Sequence, residues 1–248
     1  MSHPVLDALR SESAGARRGA CERAAEDPSA VLLVDALCEA LGDADPGVAR
    51  AAGTALQRIA REHRDAQPSV LTALRAALRG ESPRQRLEAA WTWARVEPPP
   101  IALLPAVAGA LESADGDARW RAARLLVELG RLHGESVAVV YGLAGPEHPA
   151  RVRRIALTAL RELAPGEMPV LLAHLAACRD DDAGLRRLAL AGLAGLGERS
   201  EAVWSALSDA LEADGDPGAR RVAARAVRAL GDAPAELAAA AEAASLGD

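Results

Sequence analysis

A short pattern returns seven times along the chain: a helix start, a small or apolar residue, Arg, two unrestricted residues, Ala, and an apolar residue four further on. It fits "AGARRGACERAA" at Arg17, "PRQRLEAAWTW" at Arg86, "GDARWRAARLL" at Arg119, "PARVRRIALTAL" at Arg153, "AGLRRLALAGL" at Arg186 and "PGARRVAARAV" at Arg220, while "PGVARAAGTAL" carries Ala49 at the frame position. The spacings are 32, 37, 33, 34, 33 and 34 residues. So regular a period means stacked copies of one small unit, none of which can bury its apolar face alone.

The unit is helical. Half of the 248 residues are apolar, but they are mostly Ala, Leu and Val, with no Phe and one Tyr, so helix formers are abundant and strand formers scarce. Apolar segments at 31–41, 70–78, 101–111, 137–143, 168–177 and 202–211 read as first helices, each ending in a turn such as "GDADPG", "GESPRQ" or "ADGDPG". The frame segments read as second helices at 14–25, 46–61, 83–95, 116–131, 149–161, 183–197 and 217–230. Asp45, Asp115, Asp182 and Asp216 stand four residues before the frame position, where a carboxylate caps exposed amides at the positive helix end.

Over nearly its whole length this pattern resembles the HEAT-repeat family, in the short bacterial form with an Asp-Pro turn followed by an apolar residue and Arg. The resemblance implies an all-α, right-handed solenoid of about seven hairpins forming a single domain over 1–248. It also implies that second helices line the concave face, and that turn Asp and frame Arg form a ladder between repeats. Ala49 in place of Arg and Ser82 in place of Asp weaken parts of that ladder. "SHPVLDALR" is expected to cap one end, and a helix at 234–246 the other.

Charge separates along the same division. The second helices hold 23 arginines against four acids, Glu22, Glu88, Asp117 and Glu128, although the net charge is -6. An acidic protein therefore carries an arginine-rich face, while its total charge argues against nonspecific coating of nucleic acid. With the frame residue as zero, positions +3 and +7 face the core and +1, +5 and +8 lie opposite. Position +1 reads Arg18, Arg50, Leu87, Trp120, Arg154, Arg187 and Arg221; position +5 includes Trp91, Arg124 and Arg225; position +8 adds Gln57, Arg161 and Arg228. The expected surface is apolar at its centre, on Leu87, Trp91 and Trp120, and positive at its flanks. Trp and Arg are the residue types most enriched in binding hot spots. Trp93 at +7 and Trp204 on a first helix are expected in packing.

Other chemistry lacks its motifs. There is no phosphate loop, and "GLAGLG" at 192–197 lies late in a helix. His3, His63, His133, His148 and His174 show no metal-ligand spacing, and Cys21, Cys38 and Cys178 form no CxxC pair, so no metal or cofactor is expected and the thiols read as buried. Neither a secretion signal nor a membrane span is read, which points to the cytoplasm. The HEAT-like alkylpurine DNA glycosylases resemble this chain in fold, with tryptophans, arginines and an essential carboxylate on the concave face. Glu88 is the sole acid near Trp91 and Trp120, yet Arg95 and Arg124 follow those tryptophans where that family has Asp. A phycobilin-lyase or chaperone role resembles the repeat type without a residue signature. The residues favour a noncatalytic scaffold that binds an acidic protein segment or a phosphate-bearing ligand, with nucleic acid less favoured and no membrane partner.

Overall fold

Helix starts are built into the turns. The Asp45 carboxylate accepts from the Gly47 and Val48 amides at 2.7 and 3.1 Å, Asp182 from Leu185 at 2.7 Å, and Asp216 from Ala219 at 2.9 Å. Ser82 performs the same task for Gln85 at 3.3 Å, so replacing Asp there keeps the cap. Pro46, Pro83 and Pro217 follow their caps directly, where a missing N–H costs nothing.

A computed structural model describes residues 3–246, and among them it holds helices and turns but no strand. The chain divides into two compact units, Met1–Leu132 and His133–Asp248. The first contains α1 (Pro4–Leu9), α2 (Ala14–Ala24), α3 (Val34–Ala40), α4 (Pro46–Glu62), α5 (Gln67–Ala77), α6 (Pro83–Val96), α7 (Leu104–Ala110) and α8 (Gly116–Leu132). These pair as four hairpins, with α2 packed on α4, α4 on α6 and α6 on α8, while α3 packs on α5. The second unit contains α9 (Ser136–Leu143), α10 (Ala150–Leu163), α11 (Met168–Ala177), α12 (Ala183–Leu196), α13 (Glu201–Ala213), α14 (Pro217–Leu230) and α15 (Ala235–Leu246). There α10 packs on α12 and α12 on α14, and α15 covers α14. Ser2 of the expected N-terminal cap lies outside the described residues.

Two first helices are shorter than their apolar segments suggest. Residues Ala30–Leu33 and Ile101–Leu103 wind as tighter 3-10 turns, and the regular helices begin at Val34 and Leu104. At the second site Pro105 has no N–H to donate, so the α-helical ladder starts around it. The core is made of small and branched aliphatic side chains, with Leu33, Leu37, Leu56, Ile59 and Leu125 fully buried.

The arginine ladder has a different register from the expected one. Arg17 donates from Nε and Nη2 to both oxygens of Asp43 at 2.7 and 2.9 Å, and Arg186 does the same to Asp214 at 2.8 Å each. Arg153 meets both oxygens of Asp180 through Nη1 and Nη2 instead. These acids lie six residues before the next frame position, two before the capping Asp. The oxygen that accepts from Nη2 also turns the chain by accepting the amide of the cap residue: Asp43 from Asp45, Asp180 from Asp182, Asp214 from Asp216. The third nitrogen, Nη1, reaches the arginine's own turn, as in Arg17 to the Ser11 and Glu12 carbonyls at 2.8 and 2.9 Å and Arg86 to Gly80 and Glu81 at 2.8 and 2.7 Å. Arg17 and Arg186 thus each fix one turn and dock the next, whereas Arg86 bonds its own turn and Arg153 the following one. Where Arg is missing, at Ala49, the acceptor position in the next turn is Gly80, so the rung lacks both members.

Candidate functional site

In the first unit, α6 and α8 bring Trp91 and Trp120 together. Their ring centroids are 6.2 Å apart with planes inclined at 45°, within the range of favourable tilted aromatic pairs. Trp120 is 55% exposed and Trp91 half-buried. Three guanidiniums cover the indoles: Arg95 at 4.2 Å and Arg121 at 5.7 Å from the Trp91 centroid, and Arg124 at 5.1 Å from that of Trp120. The result is an aromatic pair clad in cations, at the distance where the ring quadrupole attracts positive charge.

Beneath the pair lies an ion pair the sequence reading missed. Arg121 Nη1 and Nη2 donate to the two oxygens of Glu88 at 2.8 and 2.7 Å, and both residues are buried, at 8% and 4% exposure. Asp117, half exposed, approaches Arg121 Nε at 3.3 Å and Arg50 at 3.5 Å. Charge on Glu88 holds the guanidinium strongly cationic despite its burial. Glu88 and Arg121 occupy the same +2 register of neighbouring second helices, so opposite charges at equal register were the available signal. Both Glu88 oxygens are taken by Arg121, which fits a structural carboxylate.

Leu87 does not present itself on this surface. It is 3% exposed and lines a cavity of about 610 Å³ with Arg50, Arg84, Glu88, Asp117 and Arg121. Its side chain is too short to pass the helix layer, where arginine and tryptophan at the equivalent position reach outward. Arg50 is exposed, with Nε donating to the Pro46 carbonyl at 3.2 Å, and Arg124 is exposed beside Trp120.

In the second unit Arg154, Arg187, Arg221, Arg225 and Arg228 are exposed and Arg161 is half-buried. Arg187 reaches Asp216 at 3.2 Å and Arg154 reaches Asp182 at 3.9 Å. Glycines make room for these crossings, since a Cβ on Gly218 would come 2.7 Å from Arg187 Nη1 and one on Gly184 3.1 Å from Arg154 Nη1. The +1 arginines therefore serve partly as a second inter-repeat contact, half exposed and salt-screened.

Trp93 is buried and donates from Nε1 to Glu97 at 3.1 Å, with Arg75 5.5 Å from its ring; Trp204 packs against the core of the second unit. The three cysteines are buried, with burial pushing Cys21 up to about 11 and Cys38 and Cys178 up to about 12. Among the described residues no three His, Cys, Asp or Glu side chains gather as a metal site, and no helix is long and apolar enough to cross a membrane.

No protein-family model and no curated protein matches the chain. Among solved structures it is similar to a triple mutant of the helical repeat protein Kap121p at 14% identity, covering 98% of this chain and 31% of that one, with a TM-score of 0.57. It also aligns with the complex of CpcE and CpcF of phycocyanin lyase from Nostoc (19% identity, 98% and 94% covered, TM-score 0.38). An engineered protein aligns at 20% identity, with 97% and 71% covered and a TM-score of 0.46. The first likeness carries the fold: an all-α, HEAT-like helical-repeat solenoid.

Proposed function

We propose that this protein is a noncatalytic HEAT-like scaffold or adaptor whose arginine-bearing second-helix face binds an acidic protein segment or a phosphate-bearing ligand. The observation that carries the reading is Trp120, a large apolar side chain left 55% exposed beside Trp91 and flanked by Arg95 and Arg124. Leaving an indole in water forgoes much of its burial free energy, which a partner recovers on docking. The flanking guanidiniums supply forked donors for carboxylate or phosphate oxygens, and exposed arginines in both units attract anions from a distance.

The test is partner capture by wild type and by a Trp91→Ala, Trp120→Ala double variant that keeps its helical circular-dichroism signal. A buried tryptophan anchor contributes about 2 kcal/mol or more, so the double variant should bind its partner at least about thirtyfold more weakly. Unchanged binding would remove the indoles from the function.

A further inference from the structure

Beside the tryptophan pair, a second pocket collects cations without acids. It has a volume of about 300 Å³ and is lined by Gln57, Ala60, Arg61, Arg64, Gln67, Arg95 and Val96. It lies where the last turns of α4 and α6 meet the first turn of α5. Its polar lining is three guanidiniums and two carboxamides, with no carboxylate. Arg61 and Arg64 are exposed, and neither has an ion-pair partner among the described residues. The neighbouring carboxylate of Glu62 is turned to Arg58 at 3.2 Å, and that of Glu128 lies 3.6 Å from Arg95.

Clustering three cations with a single nearby counter-charge, Glu128 on Arg95, is unfavourable unless something offsets it. Part of the offset is local, because Arg61 and Arg95 belong to the last turns of their helices, where the partial negative charge favours cations. That holds the guanidiniums in place; Arg95 also meets Glu128 and donates to the Ala94 carbonyl at 3.4 Å, whereas Arg61 and Arg64 have no ion-pair partner among the described residues. Five groups rich in N–H donors thus face one small volume.

We infer that this pocket receives a phosphate monoester carried on a side chain of a partner protein. Several forked donors around one site match a tetrahedral dianion with three acceptor oxygens better than a single planar carboxylate. A volume of about 300 Å³ stands at the low end of small-molecule sites, enough for the phosphate and its ester arm. The rest of the ligand must lie outside it. Arg95 joins the pocket to the aromatic pair, since it lines one and covers Trp91 in the other. A phosphorylated segment held here by its phosphate therefore continues across the tryptophans. The inference rests on the proposed binding role of this face and identifies the chemistry that enters it.

The test titrates the full chain at low salt with three probes: a nonapeptide containing phosphoserine, the same peptide with serine, and inorganic phosphate. Calorimetry and indole fluorescence report binding, because a phosphate that engages Arg95 changes the surroundings of Trp91. The phosphopeptide should bind one to one, inorganic phosphate should compete with it weakly, and the serine peptide should bind at least about tenfold more weakly. An Arg61→Gln, Arg64→Gln double variant, which breaks no ion pair, should lose about tenfold or more in phosphopeptide affinity. Arg23→Gln on α2 should leave it unchanged. Absence of saturable phosphopeptide binding, or unchanged affinity in the double variant, overturns the inference, and inorganic phosphate binding as tightly as the phosphopeptide overturns the protein-borne source. Should the Trp91→Ala, Trp120→Ala variant lose its partner while Arg61→Gln, Arg64→Gln keeps it, the scaffold reading stands and the phosphate pocket falls.

Discussion

Glu88→Gln should be among the most damaging single changes in the first unit. Both carboxylate oxygens accept from Arg121 at 2.7 and 2.8 Å, and both side chains are more than nine-tenths buried. Neutralising Glu88 leaves a buried guanidinium without its main counter-charge, and breaking such a pair from one side costs about 3–5 kcal/mol. Asp117, at 3.3 Å from Nε but half exposed, offsets part of this, so the lower end, about 3 kcal/mol, is expected. Arg121→Met should cost a similar amount. The double variant Glu88→Leu, Arg121→Met should return to within about 1 kcal/mol of wild type, because well-packed apolar replacements of buried pairs are often neutral. Urea unfolding is the assay, followed by circular dichroism for both units and by fluorescence, since Trp91, Trp93 and Trp120 report on the first unit and Trp204 on the second. With a slope of about 2 kcal/mol/M, Glu88→Gln should lower the first unit's midpoint by about 1.5 M. A shift under about 0.5 M, or a double variant whose loss is the sum of the single ones, would refute the account of a desolvated, mutually dependent pair.

Four other outcomes follow from the same geometry. Arg17 and Arg186 hold the carboxyls of Asp43 and Asp214 below the usual carboxylate range. Their stabilisation is therefore present above about pH 4 and lost as pH falls through the lowered values; Asp43→Asn, Asp214→Asn should flatten the acid limb of urea midpoints measured from pH 7 to pH 3. His174 is 1% exposed, and burial pulls its pKa below the ordinary histidine value while Nδ1 donates to the Val170 carbonyl at 2.9 Å. The unfolded chain binds that proton first, so the second unit should lose stability as pH drops below about 6.5, and His174→Gln should abolish that component. Gly192→Ala would place a Cβ 2.2 Å from His174 Cδ2, and overpacking a rigid buried ring should cost about 1–3 kcal/mol, more than the helix propensity gained; His174→Ala in the same chain should relieve it in thermal melts. Cys21, Cys38 and Cys178, buried with raised pKa values, should resist a thiol reagent at pH 8 until urea opens the fold.

The repeat was legible because helix start, frame arginine and core alanine recur at a fixed interval, and stacking repeats must superimpose. Alternation of exposed +1 and +5 with buried +3 and +7 follows from helical geometry, and Trp120 and Arg124 lie outward accordingly. What escaped the sequence depends on side-chain length and on neighbours from other repeats. Nothing in "GDADPG" tells which Asp meets the preceding arginine; the answer, Asp43, depends on how far a guanidinium reaches after bonding its own turn. Leu87 shares its register with Trp120, yet a leucine sinks where an indole projects. The Arg121–Glu88 pair takes two helices to see: equal register on α6 and α8 brings the opposite charges together.

Within the first unit the hairpins are not coupled evenly. Arg17–Asp43 clamps the first to the second, and Arg121–Glu88 with Arg95–Glu128 clamps the third to the fourth. Among the described residues no ion pair joins the second to the third; Gln85 to the Cys38 carbonyl at 3.0 Å and Arg84 to that of Ala44 at 3.2 Å do the work. That joint is held mainly by packing of α4 on α6 and α3 on α5, and Arg50 reaches past it to Asp117 on α8 at 3.5 Å. The pocket of Arg61, Arg64 and Arg95 bridges that same joint, so an anion bound there would add the charged clamp between second and third hairpins that the other joints already have.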